Sequence, residues 1–196
     1  MSVETQTKPA TIEDLYRVMS DEGTYELIDG KLMYMAPTGY GHTRTSARIR
    51  DALLRYEEET HAGYALADGI GFLVKLPHRQ SFSPDASLSA TEPDDDENFI
   101  DGAPIFAAEI RSKNDHGPAG DAAAMAKRDD YFAAGTLAVW DVNPRARTIT
   151  QYTPDTMDTP KVFHAGEIAD AEPALPNWRV PVDGIFGKNA TVTRPS

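Results

Sequence analysis

Residues 105 to 112 read IFAAEIRS, and no other stretch constrains the fold as tightly. Ile105, Phe106, Ala107, Ala108 and Ile110 make a strand that is apolar on both faces, which belongs inside a sheet covered on each side. Glu109 interrupts it, although an ionised carboxylate without a partner is costly to bury. Side chains alternate along a strand, so Glu109 shares a face with Ala107 and Arg111, opposite Phe106, Ala108 and Ile110. The chain must bring to that face something that makes a carboxylate tolerable there.

At 196 residues the chain is long enough for a sizeable core, and its 40% hydrophobic and 26% charged residues are globular values. It has no cysteine, which excludes disulfides, thiolate nucleophiles and zinc–thiolate sites. The opening MSVETQTKPA is polar and unlike a signal peptide, and no apolar run approaches a membrane span. These features predict a cytoplasmic protein without a membrane partner. With 31 acidic against 19 basic residues the net charge is -12, which repels nucleic acid at long range unless basic residues cluster.

TIEDLYRVMS (11–20) predicts a short helix with Thr11 as N-cap and Asp14 completing a weak capping box. YELIDGKLMYM (25–35) predicts a hairpin about Asp29-Gly30. A helix is expected over 42–59, with Ile49, Leu53 and Tyr56 on its buried face. Strands are expected at 64–68, 70–76 and 84–90, followed by the acidic loop TEPDDDENFIDGAP and the strand at 105–111. A helix over 120–134 comes next, then strands at 137–142 and 148–153 and the short runs VFHAGEIA and WRVPVDGIF. Strands outnumber helices, and one helix lies between two strands. That order predicts an α/β (α+β) architecture, a central mixed sheet flanked by helices.

The strand before Glu109's begins Pro84-Asp85-Ala86-Ser87-Leu88, with Asp85 and Ser87 on one face. If the two strands pair, Asp85 and Glu109 converge at one end of the sheet. Converging carboxylates are stable together chiefly around a cation, and a hydrated all-oxygen site suits Mg²⁺ or Mn²⁺. On the following helix, Lys127 has Ala123 and Ala124 one turn before it and Tyr131 one turn after it. Close packing there lets an ammonium reach the carboxylates, and such a set is equipped to hydrolyse a phosphodiester. Taken singly, each residue has a commoner, plainer reading: Pro-Asp as a turn, Lys127 as a solvated helix lysine, His42 as a cap, Glu26 as an exposed strand residue. Arg44, Arg48 and Arg55 form a stripe opposite Ile49, Leu53 and Tyr56, readable as a grip on a DNA backbone or as a solvated helix face.

In this order, YELIDGKLMYM, GHTRTSARIRDALL, SPDASL, APIFAAEIRS, KRDDYFAAGTLAVWDVNPRARTITQY and PALPNWRVPVDGIF resemble the PD-(D/E)XK nuclease superfamily. Within it, the match is to the small stand-alone bacterial proteins of restriction-endonuclease-like fold. The resemblance spans about residues 11–186, expected to be one domain with an N-terminal hairpin extension and flexible tails at 1–10 and 187–196. It implies a Mg²⁺-dependent (or Mn²⁺-dependent) endonuclease acting on DNA, and the superfamily's habit extends this to a homodimer. It implies that Asp85, Glu109 and the Ile110 carbonyl ligate the metal, that Lys127 stands in for the signature lysine, and that Glu26 completes the site. His42, Arg44, Arg48 and Arg111 are the expected substrate contacts. Arg111 occupies the usual lysine position of the signature and Lys113 lies two residues on, so the acting cation is one of Lys127, Lys113 and Arg111. Arginine stays charged and cannot serve as a proton-transfer base. The competing readings are a non-catalytic binding or regulatory module that keeps the fold, and a hydrolase of a small phosphate ester.

Overall fold

The computed structural model describes residues 8–19, 23–95, 97–113 and 115–187. Helix α1 (Ile12–Met19) starts as its sequence predicts. The Asp14 N–H donates to the Thr11 hydroxyl at 3.3 Å, and the Thr11 N–H donates to Asp14 Oδ2 at 3.0 Å. The hairpin β1 (Thr24–Ile28) and β2 (Lys31–Met35) turns at Asp29 and Gly30, both left-handed at φ 50° and 66°, the geometry that makes Asp-Gly a hairpin signal. Helix α2 (Tyr40–Thr60) buries Ile49, Leu53 and Tyr56. Then come β3 (Tyr64–Ala67), β4 (Phe72–Leu73), β5 (Ser81–Phe82), β6 (Ala86–Ser89), β7 (Ile100–Asp101), β8 (Phe106–Ile110) and helix α3 (Pro118–Ala133). The chain continues through β9 (Ala138–Asn143), β10 (Thr148–Tyr152), a 3-10 turn at Pro154–Thr156, β11 (Lys161–Phe163), β12 (Ile168–Ala171), β13 (Leu175–Pro181) and α4 (Val182–Phe186).

The central sheet has the order β11-β10-β9-β8-β6-β3. β8 and β9 run parallel, with α3 as their crossover, and every other neighbouring pair is antiparallel. β8 is interior, as its two apolar faces require. One face, carrying Phe106, Ala108 and Ile110, packs with Ile49 and Leu53 of α2 and with Trp140 and Trp178. The other, carrying Ala107 and Val139, packs with Tyr131 of α3 and with Phe72 and Phe82. This is the mixed sheet flanked by helices that the element order predicts.

Three strand expectations are corrected, among them the run WRVPVDGIF, whose strand ends at Pro181 and whose last five residues form α4. The strand expected at 70–76 shrinks to Phe72–Leu73, because it joins β5 and β7 in a small three-stranded sheet instead of the central one. There Gly71 lies so close to the Phe99 ring that a Cβ would approach within 2.1 Å. The run VFHAGEIA divides, β11 pairing with β10 and β12 with β13. The tails expected at 1–10 and 187–196 lie outside the described residues apart from 8–10 and 187, and the Ala10 N–H donates to the Gly30 carbonyl at 2.8 Å. No helix among the described residues is long and apolar enough to cross a membrane.

Candidate active site

Strand register brings the acids together. Ala86 faces Ala108 in the β6–β8 ladder, so Asp85 and Glu109 stand opposite one another at its next step. The Ile110 N–H donates to Asp85 Oδ2 at 2.6 Å, so the side chain takes over where the backbone ladder stops. Glu109 lies beside Asp141 in the β8–β9 pair, and Asp68 follows Ala67, which faces Ala86. Four neighbouring strands therefore carry acids at one end, on the face that α3 covers.

Cationic and polar groups reach that row from three directions. Lys127 Nζ of α3 lies 2.9 Å from Glu109 Oε2 and 2.9 Å from Glu26 Oε1. Tyr131, one helical turn on, donates its hydroxyl to Glu109 Oε1 at 2.6 Å while its ring stacks on Phe82 at 4.1 Å. Glu26, buried in β1, also accepts from the Ser83 N–H at 3.0 Å and from Arg79 at 2.5 Å. Arg79 donates in turn to Asp130 at 2.7 Å, which fastens the hairpin to α3. From α2, His42 Nε2 approaches Asp85 Oδ2 at 3.2 Å, and the Ser46 hydroxyl donates to the Asp85 carbonyl at 2.6 Å.

These neighbours set the charge states. Burial pushes the Glu109 carboxyl up, and with Asp85 and Glu26 it outweighs Lys127 and the Tyr131 hydroxyl, leaving the group at about 7. Burial acts the same way on Glu26, but Lys127 and Arg79 overcome it and hold that carboxyl below the ordinary range. Burial opposes the Lys127 charge, yet Glu109 and Glu26 raise the ammonium above its usual value. Both carboxylates thus favour the charged form of Lys127. Burial and then the Asp85 charge raise Asp68, while His42 is raised by its contact with Asp85 against the effect of burial.

Asp68, Asp85 and Glu109 line a cleft of about 470 Å³ together with Tyr34, Met35 and His42. The donor set fits a hard divalent ion. Two carboxylates face each other, one of them raised in pKa by burial and by its acidic neighbours, and every donor except His42 is oxygen. Among the described residues no three His, Cys, Asp or Glu side chains converge closely enough to hold a metal alone. Asp85 and Glu109 are the carboxylates that could hold such an ion, and Ile110 lines the cleft beside them, which leaves much of a coordination shell to water.

Of the residues singled out from sequence, Glu26, His42, Asp85, Glu109, Ile110 and Lys127 meet here. Arg111 shares the Glu109 face but is engaged by Asp141 and Asp121. Arg44 is exposed on α2, and Arg48 is half-buried, donating to the Ile185 carbonyl at 3.3 Å. Sequence reasoning missed the roles of Asp68, Arg79, Asp130, Tyr131 and Asp141. Asp141 had a usable signal, because LAVWDV sets an acid within an apolar strand just as FAAEI does.

A mixed sheet whose one parallel pair is crossed by a helix, with an acid pair and a lysine at the end of its central strands, defines a protein of the PD-(D/E)XK nuclease fold. The chain belongs to the Uma2 family, described as "Putative restriction endonuclease", whose match spans residues 10–183. It is similar to the crystal structure of "a putative nuclease belonging to DUF820 from Anabaena variabilis ATCC 29413", with a TM-score of 0.67 and 16% identity. That likeness covers 88% of this chain and 96% of the other, and at such an identity it shows the fold. No curated protein matches the chain.

Proposed function

We propose that residues 11–186 act as one domain, a Mg²⁺- or Mn²⁺-dependent endonuclease that hydrolyses DNA phosphodiester bonds. The observation that carries this reading is the opposition of Asp85 and Glu109 across the β6–β8 ladder with Lys127 Nζ 2.9 Å from Glu109. Asp85, Glu109 and the Ile110 carbonyl hold the ion. A divalent ion, when bound, supplies charge that polarises the phosphate and acidifies water. Lys127, kept protonated by two carboxylates, offsets negative charge that develops on the phosphate. Glu26 holds that ammonium in place, and Tyr131 fixes the Glu109 carboxylate through Oε1. His42 orients Asp85 from α2, so that its carboxylate serves both the Ile110 N–H and the ion.

A plasmid-cleavage assay with Mg²⁺, Mn²⁺ or EDTA, run beside Glu109→Ala, tests this. Nicking or linearisation that needs the ion and disappears in the variant is the expected result. Equal cleavage by both proteins, or none by the wild type with either ion, would remove the reading.

A further inference from the structure

His42 also borders a second pocket, of about 300 Å³, which has the opposite character to the acidic cleft. Its walls include Gly39, Gly41, His42, Lys113, His116 and Arg145, and no acidic residue lines it. Lys113 and Arg145 are exposed and make no ion pair among the described residues. Arg111, at its edge, is already neutralised by Asp141 and Asp121. The free positive charge of the pocket therefore comes from the two loops that follow β8 and β9.

The pocket also holds the N-terminus of α2, a helix of 21 residues with no acid in its first turn and no side-chain cap at Gly39. The N–H groups of Tyr40, Gly41 and His42 precede the first helical bond, from the Thr43 N–H to the Gly39 carbonyl at 3.1 Å. A Cβ at Gly39 or Gly41 would meet nothing within 4 Å, so a ligand can approach the backbone closely. An independent sign comes from His42, which is 8% exposed. Its Nε2 meets Asp85, but its Nδ1 is buried without a hydrogen-bond partner. A buried polar atom with no partner is costly, and His42 stands in the wall of this pocket, where an anion could accept from its protonated ring.

We propose that this pocket binds a phosphate of a nucleic-acid strand, next to the one in the acidic cleft. The inference rests on the reading of that cleft as a phosphodiesterase site. Helix N–H groups with flanking cations are suited to a tetrahedral oxyanion. A local cationic pocket also gives a chain of net charge -12 a place to hold a polyanion. Because His42 borders both the pocket and the acidic cleft, a strand that crosses both runs on through the pocket, which makes the phosphate an internal phosphodiester.

The test uses the full chain carrying Glu109→Gln, in EDTA, so that no strand is cut. Fluorescence anisotropy measures its affinity for labelled oligonucleotides with a 5′-phosphate or a 5′-hydroxyl, before and after adding Lys113→Glu with Arg145→Glu. The charge reversal should weaken both oligonucleotides by about tenfold or more, and make the salt dependence shallower by about one unit per lost phosphate contact. Circular dichroism should show the fold unchanged, since both side chains are exposed. A loss confined to the 5′-phosphorylated strand overturns the internal assignment in favour of a terminal phosphate. Unchanged affinity and slope, or no binding by the parent, overturns the pocket. Wild-type plasmid cleavage run in parallel separates the two claims. Cleavage with binding indifferent to the reversal removes the pocket alone. Pocket-dependent binding without any cleavage removes the nuclease reading and leaves a phosphate site.

Discussion

Arg111 and Asp141 close on one another across the parallel pair β8–β9, with Nε 2.7 Å from Oδ1 and Nη2 2.6 Å from Oδ2. The same guanidinium reaches Asp121 near the start of α3. The side chain in the signature's lysine position is therefore a clamp between sheet and helix. Lys127 is left as the ammonium that touches Glu109.

The clamp should be read in stability. Arg111→Ala strands a mostly buried carboxylate and should cost about 3 kcal/mol or more, whereas adding Asp141→Asn should recover much of that loss. Arg111→Lys keeps the charge without the two-point fork and should fall between wild type and Arg111→Ala. Urea denaturation of the series measures this. A double variant no more stable than Arg111→Ala would mean that the pair is not what the arginine contributes.

Lys127 and Lys113 should separate in rate. Lys127→Ala should slow single-turnover cleavage by on the order of a hundredfold, the scale of losing one charge stabiliser. Lys113→Ala should cost about tenfold at most, through weaker phosphate contact. Helix propensity alone argues that Lys127→Ala leaves the fold untouched. The ion pair with buried Glu26 adds a stability loss, moderated because Arg79 still pairs with that carboxylate. Thermal melts beside the kinetics distinguish a slow folded enzyme from a depleted one.

Glu109 gives the metal-free protein a distinctive pH dependence. Its carboxyl rises on folding from 4.5 to about 7, so between those values the native state holds a proton that the unfolded chain has released. That contribution is complete below the unfolded value and is lost as pH rises through the folded one. Melting temperature in EDTA should therefore decline across this window relative to Glu109→Gln, and level off above it. Saturating Mn²⁺ should flatten the decline and raise the melting temperature at pH 7 in wild type only. Parallel melting curves for the two proteins in EDTA would count against the assignment.

On α2 the arginines should not behave alike. Arg44→Glu should weaken DNA binding and make the salt slope shallower by about one unit, since that side chain is exposed. Arg48→Glu should instead lower stability, because its guanidinium is packed against Gly187 and donates to Ile185. Anisotropy titrations at several salt concentrations, with melts alongside, check both.

The acid pair was legible from sequence because strand parity is local. FAAEI declares its own two faces, and SPDASL does the same. The hairpin and the capped first helix were equally readable, since turn chemistry and the capping box span only a few residues. What remained hidden depends on distance along the chain. Arg79 lies in PHRQ, a stretch without periodicity, and its partners Glu26 and Asp130 stand 53 and 51 residues away. Tyr131 could be placed one turn from Lys127, but nothing near it announces that its hydroxyl ends on the acid of β8. The strand expected at 70–76 failed for the same reason, because its apolar run cannot say which of two sheets it will join.

Since Asp85 and Glu109 owe their meeting to an even–odd count along two paired strands, the site tolerates editing very unevenly. Deleting or inserting one residue within 86–89 or 106–108 exchanges inside for outside and sends a carboxylate into the core. The acidic stretch between the strands, around 92–95, stands outside that count. Length can change there at small entropic cost without moving either acid. Among homologous chains, gaps should therefore gather in that loop and spare the two short strands beside it.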